Sequence, residues 1–294
     1  MNTTLNLPFY RAINPRQVVK WTIYILLLLN WGLYIAEDWQ TALHTLGESS
    51  TFLDWTSAFS TSLDSAAWFG LLFMWELETY ALSDEAYTPF IGWTFLAVRG
   101  ICYVFLAHTV LSRAETIYEL SDLQPSPGIT SLCQLANQEI SFAYNVDYTR
   151  IDDSNCHSLS AGTEFYPIED TAVTDKPGLS VERWNTIVDL EDAIVWLLIM
   201  LTIEIAIWLQ DREITGGPAM FVSHLGKVFY AVLFAHTAYW AWGEHWLYFW
   251  DQLLWIGGFF AIEMNVSEWR KHIEKHYAKL KEIALASANA KRVT

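Results

Sequence analysis

Glu76, Arg99 and His108 stand inside long apolar runs, and each has an equivalent 128 residues further on: Glu204, Lys227 and His236. Asp64 is matched in the same way by Asp192, Trp68 by Trp196, Glu85 by Glu213 and Val104 by Val232. Ala107-His108-Thr109 is matched by Ala235-His236-Thr237, and the correspondence runs without a gap across 46 positions. A few matched hydrophobic residues arise by chance in an apolar chain. Matched ionisable residues within apolar segments do not, so the spacing predicts an internal repeat. A charge deep in hydrocarbon costs from about 2.5 to more than 10 kcal/mol, and such residues pair with one another or line a route for ions or protons.

Counting along the segments gives the depth of these charges. Glu76 lies nine residues before Glu85 at the inner end of its segment, and Arg99 lies ten residues beyond Pro89 on the way back. At 1.5 Å of helix rise per residue, both fall roughly 14 Å from the inner turn. The expected pairs are therefore Glu76–Arg99 and Glu204–Lys227, within or across the repeats. Glu78 has no counterpart, since Ala206 takes its place.

A second polar layer lies nearer the outer side. His108, nineteen residues beyond Pro89, comes level with Asp64, and His236 with Asp192. Two His and two Asp about a two-fold axis could hold a divalent cation such as zinc, or relay a proton. The plainer reading makes each Asp a helix N-cap, a position Asp favours, with a His bonded to it and no metal.

These residues need helices that cross a bilayer. A hydrocarbon core about 30 Å thick is spanned by roughly 20 apolar residues. Six segments meet that length: Val18 to Ala36, Ser65 to Leu82, Pro89 to Ser112, Ile187 to Leu209, Ala219 to Trp242 and Trp246 to Met264. The expected fold is an all-α polytopic membrane protein of six transmembrane helices with a small extracytoplasmic domain. Its four-helix core is the duplicated hairpin, and an even number of intervening spans makes the two copies parallel. The expected division is an N-tail at 1–17, spans at 18–112, the outer domain at 113–186, spans at 187–264 and a tail at 265–294.

Composition agrees with the membrane. Of 294 residues 53% are hydrophobic and only 17% charged, against about 25% charged in soluble domains. The net charge is −16, yet basic residues gather at the two ends: Arg11, Arg16 and Lys20 before or at the start of the first apolar run, Arg270, Lys271, Lys275, Lys279, Lys281, Lys291 and Arg292 after the last. Lys and Arg mark the cytoplasmic side, which puts both termini in the cytoplasm of a cell, such as a bacterium with its inner membrane. No small-x-small cleavage site follows the first span, which reads as a retained anchor. The acidic remainder excludes nucleic acid, whose phosphates need a basic stripe.

The stretch 113–186 is polar, with a turn at Pro125-Ser126-Pro127-Gly128. Thr130 to Ala143 reads as a helix and the rest as short strands or loop. Cys133 and Cys156 are expected to form a disulfide there, as an oxidising compartment allows, worth roughly 3 kcal/mol. Ser267 to Ala290 reads as an amphipathic helix with Trp269, Ile273, Tyr277, Leu280 and Ala284 on one stripe. It would lie on the inner leaflet or pair with a second copy. His272 and His276, four apart on it, sit among lysines and read as a solvated face.

No phosphate loop, nucleophile elbow, HExxH helix or CxxC pair occurs, so neither an enzyme nor a cofactor is expected. Two functions fit. The first is an ion or proton channel or transporter built on the intramembrane Glu and basic residues. The alternative is a non-catalytic membrane scaffold or sensor, its partners meeting the outer domain and the tail helix.

Overall fold

The computed structural model describes residues 15–77, 88–211 and 218–260. Glu78, Glu85, Glu213 and the tail segment Ser267 to Ala290 lie outside the described residues. The helices are α1 (Pro15–Thr45), α2 (Phe52–Ala58), α3 (Ser60–Glu76), α4 (Pro89–Ser121), α5 (Cys156–Leu159), α6 (Lys176–Asp211) and α7 (Pro218–Trp242). Four strands lie between α4 and α6: β1 (Ser141–Tyr144), β2 (Asp147–Arg150), β3 (Phe165–Glu169) and β4 (Ala172–Asp175). The all-α expectation is therefore wrong. The strands form one mixed sheet in the order β2-β1-β4-β3, with β1 and β4 parallel and the other pairings antiparallel.

The six-span expectation is also overturned. Among the described residues two helices are long and apolar enough to cross a membrane, Gln17–Thr45 and Pro89–Ser121. The others fall short for separate reasons. Helix α3 has 17 residues. In α6 the charged residues Glu182, Arg183, Asp189, Glu191 and Asp192 leave an apolar stretch of described side chains only at 193–205, and in α7 the described side chains at 225–242 include Lys227, His236 and a Tyr/Trp-rich end. Residues 246–260 are helical up to the last described residue, which leaves fewer than 18 to count.

The chain separates into two compact units, residues 30–198 and a second formed by 1–29 with 199–294. In the first unit, sequence explains the local structure well. Thr51 and Asp54 form a capping box that starts α2. Proline follows the Thr88 cap at the start of α4. The expected helix over Thr130 to Ala143 is instead a 3-10 turn at Leu132–Gln134 followed by β1. Asn145 and Val146 both take positive φ, 57° and 68°, between β1 and β2. That is the primed turn which matches the twist of a two-residue hairpin.

Leu132, Leu135, Phe142, Ile151, Cys156, Phe165 and Val173 form the core of the sheet domain. The disulfide between Cys133 and Cys156 crosses its flank, with Cα atoms 4.8 Å apart. Strand β4 runs straight into α6. The Asp175 carboxylate accepts the Gly178 N–H at 2.8 Å and so caps that helix. Gly178 is needed there, since a Cβ would fall 2.1 Å from the Thr174 hydroxyl. That hydroxyl in turn donates to the Ala143 carbonyl of β1.

In the second unit, Gly226 of α7 faces Thr202 of α6, and Gly257 and Gly258 lie against Ile23 and Leu27 of α1. Trp240, His245 and Tyr248 form a ring cluster across the turn after α7.

Candidate functional site

The site is built where α1, α3, α4 and α6 of the first unit meet. Helix α3 has no side-chain cap of its own at Phe59. Asp38 of α1 supplies it, accepting the Ser62 N–H at 2.9 Å, and the Trp31 indole N–H donates to the Ser62 carbonyl at 2.9 Å. Both Asp38 and Ser62 are buried. An N-terminal turn of helix carries unpaired N–H groups, so an aspartate from a neighbouring helix fixes where α3 begins.

Helices α3 and α4 pack at Gly70 and Cys102, so closely that a Cβ on Gly70 would lie 2.6 Å from the Cys102 sulfur. Asp64, earlier on α3, is electrostatically coupled to Arg113, later on α4. The two helices are therefore antiparallel. Counting six residues each way from Gly70 and Cys102 brings Asp64 level with His108. The same count leaves Glu76 and Arg99 three residues apart in register, about 4.5 Å of height. Glu76, Arg99 and His108 are half-buried. Nε2 of His108 is buried without a hydrogen-bond partner among the described residues.

The N-cap reading of the two aspartates fails. Helix α3 starts at Ser60 and α6 at Lys176, so Asp64 sits in the second turn and Asp192 deep within its helix. Polar residues mislead here, because the charged first half of α6 looks like a loop in the sequence yet continues the apolar half without a break.

Arg113 is the centre of this layer. Its Nε–H donates to the Asp189 carboxylate at 2.5 Å, with 11% and 42% of the two side chains exposed. Asp64 and Asp192 also act on the guanidinium, and Asp38 senses both Arg113 and Asp189. One cation is thus hydrogen-bonded to Asp189 and lies within the electrostatic reach of Asp64 and Asp192, with Asp38 also within that reach. Three carboxylates around one guanidinium leave this layer rich in negative charge. Sequence reasoning found Asp64 and Asp192 but missed Arg113, Asp189 and Asp38. The available signal was Arg113 itself, five residues past His108 on an uninterrupted helical pattern.

Trp68 of α3 and Trp196 of α6 meet edge to face with centroids 6.2 Å apart. Along the two stretches 128 apart, burial follows the same positions: Ala67 and Val195, Trp68 and Trp196, Leu71 and Ile199, Met74 and Thr202, Trp75 and Ile203 are all buried. Thr109 and Thr237 each donate to the carbonyl four residues back. His236 is buried, Glu204 half-buried and Lys227 exposed.

The sheet domain holds the ends of the two long apolar helices. Arg183 of α6 donates to the carbonyls of Leu120 and Ser121 at the end of α4, at 2.7 and 3.0 Å. At the end of α1, Arg150 donates to the Leu43 carbonyl at 3.2 Å and the Thr171 hydroxyl to that of His44 at 2.7 Å. The His44 ring bonds Ser141 through Nδ1 at 2.8 Å and stacks on Tyr148. Leu120, Tyr166 and Leu179 form a small apolar core at the foot of α4.

Cys133, Cys156 and His157 offer ligand atoms within 4.8 Å of one another. The two sulfurs are bonded to each other, and metal binding needs thiolates, so this group is a disulfide with a neighbouring histidine. No protein-family model, curated protein or solved structure matches the chain.

Proposed function

We propose that this is a multi-pass membrane protein that conducts protons or small cations, with α1 and α4 crossing the bilayer and the sheet domain outside. The observation that carries the reading is the excess of carboxylate around Arg113. Asp64, Asp189 and Asp192 form an acidic mouth at the outer end of the helices, level with His108, and Glu76 and Arg99 follow deeper along α3 and α4. The disulfide suits an extracytoplasmic domain. On this reading residues 1–17 and 265–294 are cytoplasmic and the membrane is a cell membrane, such as the bacterial inner membrane. No nucleic acid takes part.

The test is flux. Purified protein in liposomes is assayed for proton and monovalent cation movement beside Asp64→Asn, Asp192→Asn, Glu76→Gln and Glu204→Gln. Flux in the wild type, abolished by changes in this set with folding intact, supports the route. Absence of flux under every gradient sinks it.

The second reading is a non-catalytic scaffold or sensor, favoured by the way the sheet domain caps α1 and α4. Three side chains, Arg150 and Thr171 of that domain and Arg183 of α6, bond the helix-end carbonyls, so a partner binding the domain would be felt by the helices. Recovery of a stoichiometric protein partner on gentle extraction, together with absent flux, decides for it.

A further inference from the structure

Helix α2 is an exception to the rule that helices hide their apolar side. None of its residues is buried, and Phe52, Leu53 and Trp55 are 80%, 65% and 44% exposed. A soluble surface seldom leaves such side chains together. They are also not isolated. Trp55 stacks on Phe59 with centroids 6.2 Å apart, and Phe59 meets Trp39 of α1 edge to face at 6.2 Å. Trp39 is itself exposed and continues a stripe of exposed residues on one face of α1, with Leu33, Ala36 and Leu43. The spacing of three and four keeps these on one side of the helix.

We infer that α2, with Trp39 and Phe59, is an interfacial anchor that seats in the outer headgroup layer of the bilayer. This rests on the reading of α1 as a membrane span. The occupant follows from continuity: the aromatic ladder begins on the lipid-facing stripe of α1 and leads directly to Phe52 and Leu53. Trp is the side chain favoured where apolar and wet regions meet. The polar side of the segment is fixed by the capping box, in which Asp54 accepts the Thr51 N–H at 2.5 Å. Just before it, Ser49 donates to Asp170 of the sheet domain at 2.9 Å. The chain thus touches the outer domain at Ser49 and returns to the α1 surface at Phe59, and α2 is the ramp between them.

Spin labels test this in intact protein reconstituted in phosphatidylcholine vesicles. In a Cys102→Ser background, Leu53→Cys, Glu48→Cys and Leu33→Cys each receive a nitroxide, and collisions with oxygen and with a water-soluble nickel complex are compared. The label at 53 should favour oxygen over nickel several-fold more than the label at 48. An aqueous signal at 53, with lipid exposure at 33, overturns the anchor while leaving α1 in the membrane. A label at 53 shielded from both reagents also overturns it, since a protein surface then covers α2. An aqueous signal at 33 removes the membrane reading itself.

Discussion

Arg183 donates its Nε–H to the carbonyl of Leu120, 2.7 Å away, and its Nη2 to that of Ser121. The last carbonyls of a helix have no partner within it, and a cation there also meets the negative end of the helix dipole. Arg183→Gln should therefore destabilise the protein by about 1.5–3 kcal/mol, the range for hydrogen bonds to a charged group, with the solvent-facing second bond at the low end. Arg183→Lys should recover only part, because an ammonium lacks the planar fork that holds two N–H groups at the spacing of the two carbonyls. Thermal unfolding in detergent micelles checks this. Equal melting of the Gln variant and wild type would show that the cap contributes nothing.

Val146 carries the least comfortable backbone in the sheet domain. It is β-branched yet sits at φ 68°, next to Asn145 at 57°. A side chain in this left-handed region costs roughly 1–2 kcal/mol, and Asn-Gly is the pair a primed hairpin turn prefers. Val146→Gly should raise stability by roughly 0.5–1 kcal/mol, after the larger entropy loss of glycine is set against the relief. A denaturant midpoint that falls would mean the valine side chain packs better than its half-buried state implies.

The same turn is held by Glu182, whose carboxylate accepts the Val146 N–H at 2.9 Å while being 8% exposed. Burial pushes its carboxyl above the ordinary value of 4.5, outweighing the backbone hydrogen bonds that favour the charged form. A raised acid binds its proton more tightly when folded, so its contribution is complete below pH 4.5 and is lost as pH rises through the folded value. Glu182→Gln mimics the protonated form and keeps the acceptor oxygen. It should melt higher than wild type near pH 8, and the gap should close towards pH 4. A gap that is constant across that range would refute the account.

Much of the helical architecture was legible because apolar runs such as Val18 to Ala36 and Pro89 to Ser112 announce themselves. Their ends were not, because α1 continues to Thr45 and α4 to Ser121 through residues whose polar groups are satisfied by the sheet domain. Strands β2, β3 and β4 were expected only as short strands or loop, and most of β1 lay within the expected helix, because each strand spans four or five residues, too few for alternation to stand out. Asp64 and Asp192 were found by their spacing. Arg113 and Asp189 have no such mark, since their pairing depends on how α4 and α6 pack.

Gly70 and Cys102 set the register on which that layer depends. Gly70→Ala should lower stability, since its Cβ would press on the Cys102 sulfur at 2.6 Å. Overpacking of this kind costs typically about 1–3 kcal/mol. Cys102→Ala removes the obstructing atom, so the double variant should regain most of the loss, and a thermal double-mutant cycle measures the coupling. Additive losses would mean the helices do not meet there.

Arg113 and its carboxylates make opposite predictions for the two signs of charge. Arg113→Gln leaves Asp64, Asp189 and Asp192 facing one another with no cation, and removing one partner of a buried ion pair costs about 3–5 kcal/mol. Because Asp189 is 42% exposed, solvent screening brings the expected loss towards the lower end. Asp64→Asn relieves the excess instead, so it should leave the melting temperature unchanged or raise it, and Asp192→Asn should do the same. Unfolding of all three variants in micelles at neutral pH and low salt is the measurement. If Asp64→Asn is as damaging as Arg113→Gln, the cluster is a balanced structural network, and the surplus of negative charge proposed to attract a proton or cation does not exist.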